Sequence, residues 1–280
     1  MKRKFQNTVF TKNLSDVKSA ALLAFLFVAM GNFGLGQSFL TVDEIQLSPP
    51  IVEVDSLLFA SQAFVKMYTA EGASVHYTLD GSEVSKNSQK YTSPIVITST
   101  AHIRAKAFHE DYKSSNEQEL QLRKIKTFLE SARIHITPNA NTNYQGNGPK
   151  TLIDNKKGSL NFRKGRNWLG FQDKTVQVQL AFDVPITIEK IIISTLQDQG
   201  SWIFAPKEIA ILNGTSKIGA KTLENSNKEE NKKMSFIEVP VQKGMYNHLL
   251  IQISALEQIP DWHPGKGTLP WLFLDEILIE

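Results

Sequence analysis

The sequence predicts an all-β protein built as two successive β-sandwich modules, and three observations carry that prediction. Apolar residues alternate with polar ones over short runs, the mark of strands that bury one face. Gly, Pro, Asn and Ser separate those runs, supplying turns at short intervals. The chain has 280 residues, enough for two cores of ordinary size.

The first module opens at Pro49-Pro50. In SVHYTLDGS, residues 74–82, Val75, Tyr77 and Leu79 alternate with His76 and Thr78, and Asp80-Gly81 supplies a residue tolerant of positive φ where the strand must reverse. Asp80 is therefore expected to cap its own backbone rather than to act as a catalytic carboxylate. Pro94–Thr98 and Ile103–Phe108 give two further strands. Residues 118–130 fit a strand or a short helix, and the junction is expected at 117–131, with modules at 37–130 and 131–280.

In the second module, alternation recurs at Val176–Phe182, Ile188–Thr195, Glu208–Leu212, Phe236–Val241, His248–Ile253 and Trp271–Ile279. The stretch TPNANTNYQGNGPKTLIDNKKGS, residues 137–159, holds few residues able to pack a core. It reads as a long loop at one end of the sandwich, where function commonly resides. NSNKEENKK at 225–233 is charged and without apolar residues, so a solvated loop is expected.

Residues 20–30, AALLAFLFVAM, are too short to span a bilayer comfortably and follow Lys2, Arg3, Lys4, Lys12 and Lys18. Residues 1–36 read as a secretory signal cut before Gln37, with an uncleaved anchor as the alternative; either predicts export to the periplasm, the cell surface or the medium. The formal charge of +3 belongs to that leader, and the remainder is slightly acidic. Without a basic stripe, nucleic acid and a polybasic membrane contact are excluded. The absence of cysteine excludes disulfides, thiolate metal sites and a cysteine nucleophile, so the core must hold the fold. Lys, Asn and Ile-rich usage suggests a bacterial source, which makes Asn213-Gly214-Thr215 a turn rather than a glycan acceptor.

The series His76-Tyr77-Thr78-Leu79-Asp80-Gly81-Ser82, Tyr91-Thr92-Ser93-Pro94-Ile95 and Ile103-Arg104-Ala105-Lys106-Ala107-Phe108 resembles the fibronectin type III-associated module of chitobiases and β-hexosaminidases. It departs from that pattern at Val84, where proline is usual. The resemblance implies a small immunoglobulin-like β-sandwich acting as a spacer. Residues 134–280 resemble the discoidin-like module, related to coagulation-factor type C domains, that ends many secreted bacterial β-hexosaminidases. The matching pieces include Leu152-Ile153-Asp154, Gly158–Arg163, Trp168–Phe171, Leu196–Phe204, His263–Gly267 and Trp271–Ile277. This implies a β-sandwich or jelly roll that binds carbohydrate, such as N-acetylhexosamine-containing glycans. The catalytic barrel of those enzymes, roughly 250 residues, has no room here.

A glycosidase needs two opposed carboxylates about 5–10 Å apart. Asp275-Glu276 are strand neighbours expected to point to opposite faces, so they do not supply that pair. No zinc-protease, nucleophile-elbow or phosphate-loop motif is present. The expectation is a protein without catalysis.

Sugar binding asks for less: an aromatic plane and polar groups on loops at one end of a rigid sandwich. If Ile188–Leu196 and His248–Ile253 run in the same direction, Trp202 and Trp262-His263 meet at one end, with Asp198 and Asp261 beside them and Arg166 on the rim. Trp262 is expected to be exposed, Trp202 to be either rim or core, and Trp168 and Trp271 to be core. His263 has two roles open, ligand contact or a tie within its own loop. The discoidin-type resemblance also implies a structural Ca²⁺, with Asp154 and Glu276 at loosely matching positions; the alternative is a plain turn and a solvent-facing strand residue. The competing reading of the whole chain is an accessory of a separate envelope-associated glycosidase, or the remnant tail of a β-hexosaminidase.

Overall fold

A computed structural model describes residues 45–164, 166–224 and 232–280. The expected leader, and most of the expected loop at 225–233, lie outside the described residues; Lys233 already belongs to a strand. Among the described residues, no helix is long and apolar enough to cross a membrane.

The first eight strands are β1 (Ile51–Val54), β2 (Leu58–Phe59), β3 (Ala63–Tyr68), β4 (Ser74–Thr78), β5 (Gln89–Lys90), β6 (Ile95–Ile97), β7 (Ala101–Phe108) and β8 (Gln118–Lys124). They form a three-stranded sheet β1-β3-β6 and a five-stranded sheet β2-β8-β7-β4-β5. Alternation in the sequence becomes alternation in burial: Ala63, Val65 and Met67 of β3 are buried while Phe64, Lys66 and Tyr68 are exposed. The inward residues of both sheets, including Phe59, Val65, Tyr77, Ile103 and Leu122, form one apolar core. The expected Asp80 turn is present: its Oδ1 accepts from the Ser82 amide at 3.0 Å and the Ser82 hydroxyl at 2.6 Å, with Gly81 at φ 81°. The open choice for residues 118–130 resolves as strand for 118–124.

The remaining strands are β9 (Arg133–Thr137), β10 (Leu169–Phe171), β11 (Thr175–Gln197), β12 (Glu208–Asn213), β13 (Ser216–Thr222), β14 (Lys233–Ser254) and β15 (Leu272–Ile279). β11 and β14 are each far longer than the short runs read from the sequence, and they pair antiparallel along almost their whole length. Their register breaks between Ala181 and Ile186, where Pro185 interrupts the ladder. The first half of β11 pairs with β9, the second half with β15. Both halves turn apolar residues into one core, Val176, Val178 and Leu180 from one and Ile188, Ile191 and Ile193 from the other.

Ile188–Leu196 and His248–Ile253 therefore run toward the same end, since each is antiparallel to a half-strand that folds back on the other. The loops that follow them meet because each long strand folds over at its break, so that both of its ends reach the same end of the sandwich. There Lys207 donates its amide to the Ser254 carbonyl at 2.7 Å, joining the start of β12 to the end of β14.

The expected junction is packed rather than open. Leu58 and Ile125 contact Ile192 and Leu278, with Phe236 against them. Arg123, only 8% exposed, pairs with Glu238 and lies 3.7 Å from Glu280. Lys190 binds Glu238 at 2.8 Å and Lys126 binds Glu280 at 3.0 Å. Burying an aliphatic side chain contributes roughly 1.5–3 kcal/mol, against about 0–1 kcal/mol for a partly exposed ion pair, so the apolar contacts dominate and the charges set the register.

Candidate functional site

The loop Asp198–Phe204 leaves β11 and is pinned by its own backbone. Asp198 and Ile203 exchange amide-to-carbonyl bonds at 3.0 Å, and the Trp202 amide donates to Gln199 at 2.8 Å. This closes a tight turn that holds Trp202 in the left-handed region at φ 59°, ψ 22°, a conformation unfavourable for a bulky residue and sustained only by surrounding contacts. The facing loop supplies them. The Trp271 amide donates to the Trp202 carbonyl at 2.8 Å, and the indole lies against Gly265 with no space for a Cβ. The result is an indole 45% exposed on a fixed backbone.

The predicted residues separate into rim and support. Asp198 accepts an ion pair from Lys232 at 2.9 Å and keeps 15% of its side chain exposed. Asp261 and Arg166 are exposed on neighbouring loops, and the structure gives neither a contact with Trp202. His263 is buried and serves as the tie: its Nδ1 accepts from the Gly265 amide at 3.0 Å, so the proton sits on Nε2 and is donated to the Gln199 carbonyl at 2.9 Å. Of the two roles left open for His263, the structure shows the tie within its own loop.

Trp262 also differs from the expectation of exposure. It is half-buried, packs near Phe204 and edge-on to His263, and among the described residues its enclosed indole N–H has no acceptor. A short loop gave no period from which burial could be read. Trp168 is core as expected, donating Nε1–H to the Ser159 carbonyl at 3.0 Å, whereas Trp271 is only half-buried. Sequence reasoning passed over Arg163, whose guanidinium stacks on Phe162 at 4.4 Å and reaches the Ser201 hydroxyl at 3.4 Å. Arg163 borders the rim beside Trp202; nothing in its local sequence distinguished it from Lys164 or Arg166.

A second cluster lies beneath the loop 154–158. Asp275 and Glu276 do not point to opposite faces of the sheet, because a register shift between Ser194 and Thr195 leaves Asp275 as the extra residue of a bulge. Asp275 Oδ2 accepts from Lys157 Nζ and the Gly158 amide, each at 2.6 Å. Burial lowers the pKa of Lys157 against the opposing pull of Asp275. Glu276 is not the solvent-facing residue of the alternative reading: it is 1% exposed, and among the described residues neither carboxylate oxygen accepts a hydrogen bond of normal geometry. Burial, then the charges of Asp154 and Asp275, push its pKa up to about 9, only partly offset by the nearby amides of Asn155 and Lys156. Asp154 is likewise raised, chiefly by burial. Two oxygen donors aimed at a loop that turns through left-handed Asn155, at φ 61°, suit a hard cation such as Ca²⁺. Among the described residues, no three acidic or His side chains converge as a cage, so loop carbonyls would have to complete the shell.

Residues 56–119 match the family model of the chitobiase/beta-hexosaminidase C-terminal domain, the family expected for the first module. No curated protein matches the chain by sequence. Similar solved structures include the C-terminal domain of a chitobiase from Bacteroides fragilis, 15% identical, covering 55% of this chain and 95% of that one with a TM-score of 0.35. A chitosan-binding module from a chitosanase/glucanase of Paenibacillus sp. IK-5 is 5% identical over 55% of this chain and 97% of that one, with a TM-score of 0.33. A Streptococcus pneumoniae fucose binding module is 10% identical over 55% of this chain and 94% of that one, with a TM-score of 0.35. The fold described above rests on the strands and registers of this chain.

Proposed function

We propose that this is an exported, non-catalytic carbohydrate-binding protein whose glycan contacts the loop rim of the second sandwich, with Trp202 as the stacking plane. The observation that carries the reading is the half-exposed indole on an immobile backbone. A pyranose offers a patch of C–H groups to an aromatic face, and a plane already fixed loses little entropy on binding. Asp198 with Lys232, and Arg163 with Ser201, place polar groups next to the ring. Asp261 and Arg166 are the candidates for contacts farther along the rim. The sugar class, N-acetylhexosamine-containing glycans, is supported by the family match of residues 56–119.

Absence of catalysis is supported by the state of the acidic pair: Asp275 is tied to Lys157, and Glu276 is sealed from solvent. Asp154 and Glu276, with loop carbonyls, hold a structural Ca²⁺ that neutralises the buried carboxylates. Terbium luminescence that saturates in wild type and is lost in Glu276→Gln would test this. Export is supported by the basic-flanked apolar run at 20–30. Material outside the cytoplasm beginning near Gln37 would bear it out; retention in the cytoplasm would refute it.

The test of function is a glycan array followed by calorimetric titration of wild type and Trp202→Ala. Binding in the first and its loss in a normally folded second supports the rim. Wild type that binds no glycan, or binding that survives Trp202→Ala, removes it.

A further inference from the structure

The rim around Trp202 carries more positive charge than it pairs off. Arg163, Lys164 and Arg166 are exposed on the loop 161–168, which contains no acidic residue. Lys266 is exposed on the facing loop, one residue beyond the Gly265 that lies against the indole. Among the described residues, none of these four cations has a carboxylate partner. The acidic side chains of the loops 198–207 and 255–270 are Asp198, Glu257 and Asp261. Lys232 takes up Asp198 at 2.9 Å and Lys207 takes up Glu257 at 2.7 Å, which leaves Asp261 as the one carboxylate of these loops without a cation among the described residues.

Arg163 stands where that surplus meets the stacking plane. Its guanidinium lies 4.4 Å from the centroid of the Phe162 ring, and Lys232 Nζ lies 4.9 Å from the same centroid. Two like charges thus share one ring, and Asp198 offsets only Lys232. Among the described residues, the one hydrogen bond of the guanidinium runs from Nη2 to the Ser201 hydroxyl at 3.4 Å, a long contact that occupies one of five N–H donors. Ser201 precedes Trp202 in the closed turn, so the guanidinium fork is anchored beside the fixed indole. Stacking on the buried Phe162 orients the fork in advance, and less freedom is lost when an anion is gripped.

With Trp202 as the contact plane, on which this inference rests, we propose that the ligand is an acidic glycan: its pyranose stacks on Trp202 while a carboxylate or sulfate on that ring or the next is bound by Arg163. The fork presents parallel N–H groups that match two oxygens of one anion, and such charge-assisted pairs are roughly twice as strong as neutral hydrogen bonds. A chitin-type oligosaccharide offers only hydroxyl and acetamide groups and leaves the surplus charge unanswered. An acidic polymer repeats its charge along the chain, so Lys164, Arg166 and Lys266 add attraction at neighbouring sugars and speed the encounter. The acid narrows the N-acetylhexosamine class rather than replacing it, because one polymer can carry both groups.

The probes are two hexasaccharides of equal length: chitohexaose, which is neutral, and a hyaluronan fragment in which N-acetylglucosamine alternates with glucuronate. Calorimetric titration of the full-length protein in about 50 mM salt should show the hyaluronan fragment bound about tenfold or more tightly, with the preference shrinking in about 500 mM salt. Reducing the glucuronate carboxyls to alcohols keeps the stacking faces and removes the charge. The reduced fragment should bind no better than chitohexaose, a readout that needs no change in the protein. Arg163→Gln should weaken binding of the hyaluronan fragment about tenfold at an unchanged melting temperature, and Arg163→Lys should recover only part of the loss, because an ammonium is a point charge without the fork. A keratan sulfate hexasaccharide, which has sulfate and no carboxylate, identifies the acid as sulfate if it binds in place of the hyaluronan fragment, and so supports the proposal.

Equal affinity for chitohexaose and the acidic fragments, all of it lost in Trp202→Ala, overturns the acidic ligand and leaves the stacking rim standing. Binding of neither the neutral nor the acidic sugars overturns the rim and the acidic ligand with it. Binding of the acidic fragments that survives Trp202→Ala, or that a single-stranded oligodeoxynucleotide of equal charge matches, shows attraction by charge without a sugar plane and also overturns the proposal.

Discussion

Trp202 lies against Gly265 so closely that no side chain fits between them. One loop thus fixes the aromatic plane of another, and the backbone cost of a left-handed tryptophan is met by contacts from outside its own turn. Gly265→Ala should displace the indole and weaken glycan binding as much as Trp202→Ala does. Tryptophan fluorescence should report a changed Trp202 environment while the far-ultraviolet circular dichroism stays that of wild type. Unchanged affinity in Gly265→Ala would show that the ring is not the contact plane.

Three tryptophans should separate into function and stability. Trp202→Ala should cost roughly 1–3 kcal/mol of binding with little change in melting temperature, because a rim residue leaves no core cavity. Trp168→Ala, 4% exposed and packed over Gly158, should lower stability by about 3–5 kcal/mol. Trp262→Ala should also lower the melting temperature, through Phe204 and His263, and affect affinity only through the shape of the loop. Melting curves recorded beside calorimetric titrations distinguish the three.

The buried acid cluster makes a signed prediction about pH. Glu276 has an ordinary pKa of 4.5 and is raised to about 9 by burial and then by Asp154 and Asp275. Between those values the folded state keeps a proton that the unfolded state has released, so stability falls as pH rises through this window. In EDTA the melting temperature should decline from pH 5 to pH 8, and Glu276→Gln should flatten the decline. Added Ca²⁺ should raise the melting temperature at pH 8 and much less at pH 5, where protons hold the carboxyl. A calcium effect equal at both values would place the ion elsewhere.

The packed junction predicts a single unfolding transition for residues 46–280. Leu58, Ile125, Ile192 and Leu278 share one apolar cluster, and Arg123 ties β8 to Glu238 of β14. Burial would raise the pKa of Glu238, but hydrogen bonds from Lys190 and Arg123 outweigh it and bring the value to about 2 from 4.5. The stability it contributes is present above pH 4.5 and is lost as pH falls toward 2. Calorimetry should show one peak at pH 7 that splits or broadens below pH 4, and Arg123→Ala together with Ile125→Ala should split it at pH 7. Two well-separated peaks in wild type at pH 7 would show independent modules.

Local pattern was enough for much of this molecule. Alternation in AFVKMY and SVHYT made one face of each strand apolar, and Asp80-Gly81 made the turn, because side-chain period and positive-φ tolerance are properties of neighbouring residues. The all-β class, the Asp80-Gly81 turn and the core place of Trp168 were therefore legible. What lay outside reach were relations between residues distant along the chain. β11 and β14 read as separate short strands because their alternation breaks at the fold-over, and only pairing shows that each break is crossed by one continuous strand. In the sequence, Trp262 reads as exposed and Trp202 is left open between rim and core, since both sit in short loops whose burial depends on which other loop lies against them. The meeting of Asp154, Lys157, Asp275 and Glu276 needed a bulge that moves a side chain off its expected face. Sequence alone determined where the chain forms strands and turns. Tertiary structure decided which indole meets solvent and which carboxyl is buried, because these depend on loops and strands brought together from far apart in the chain.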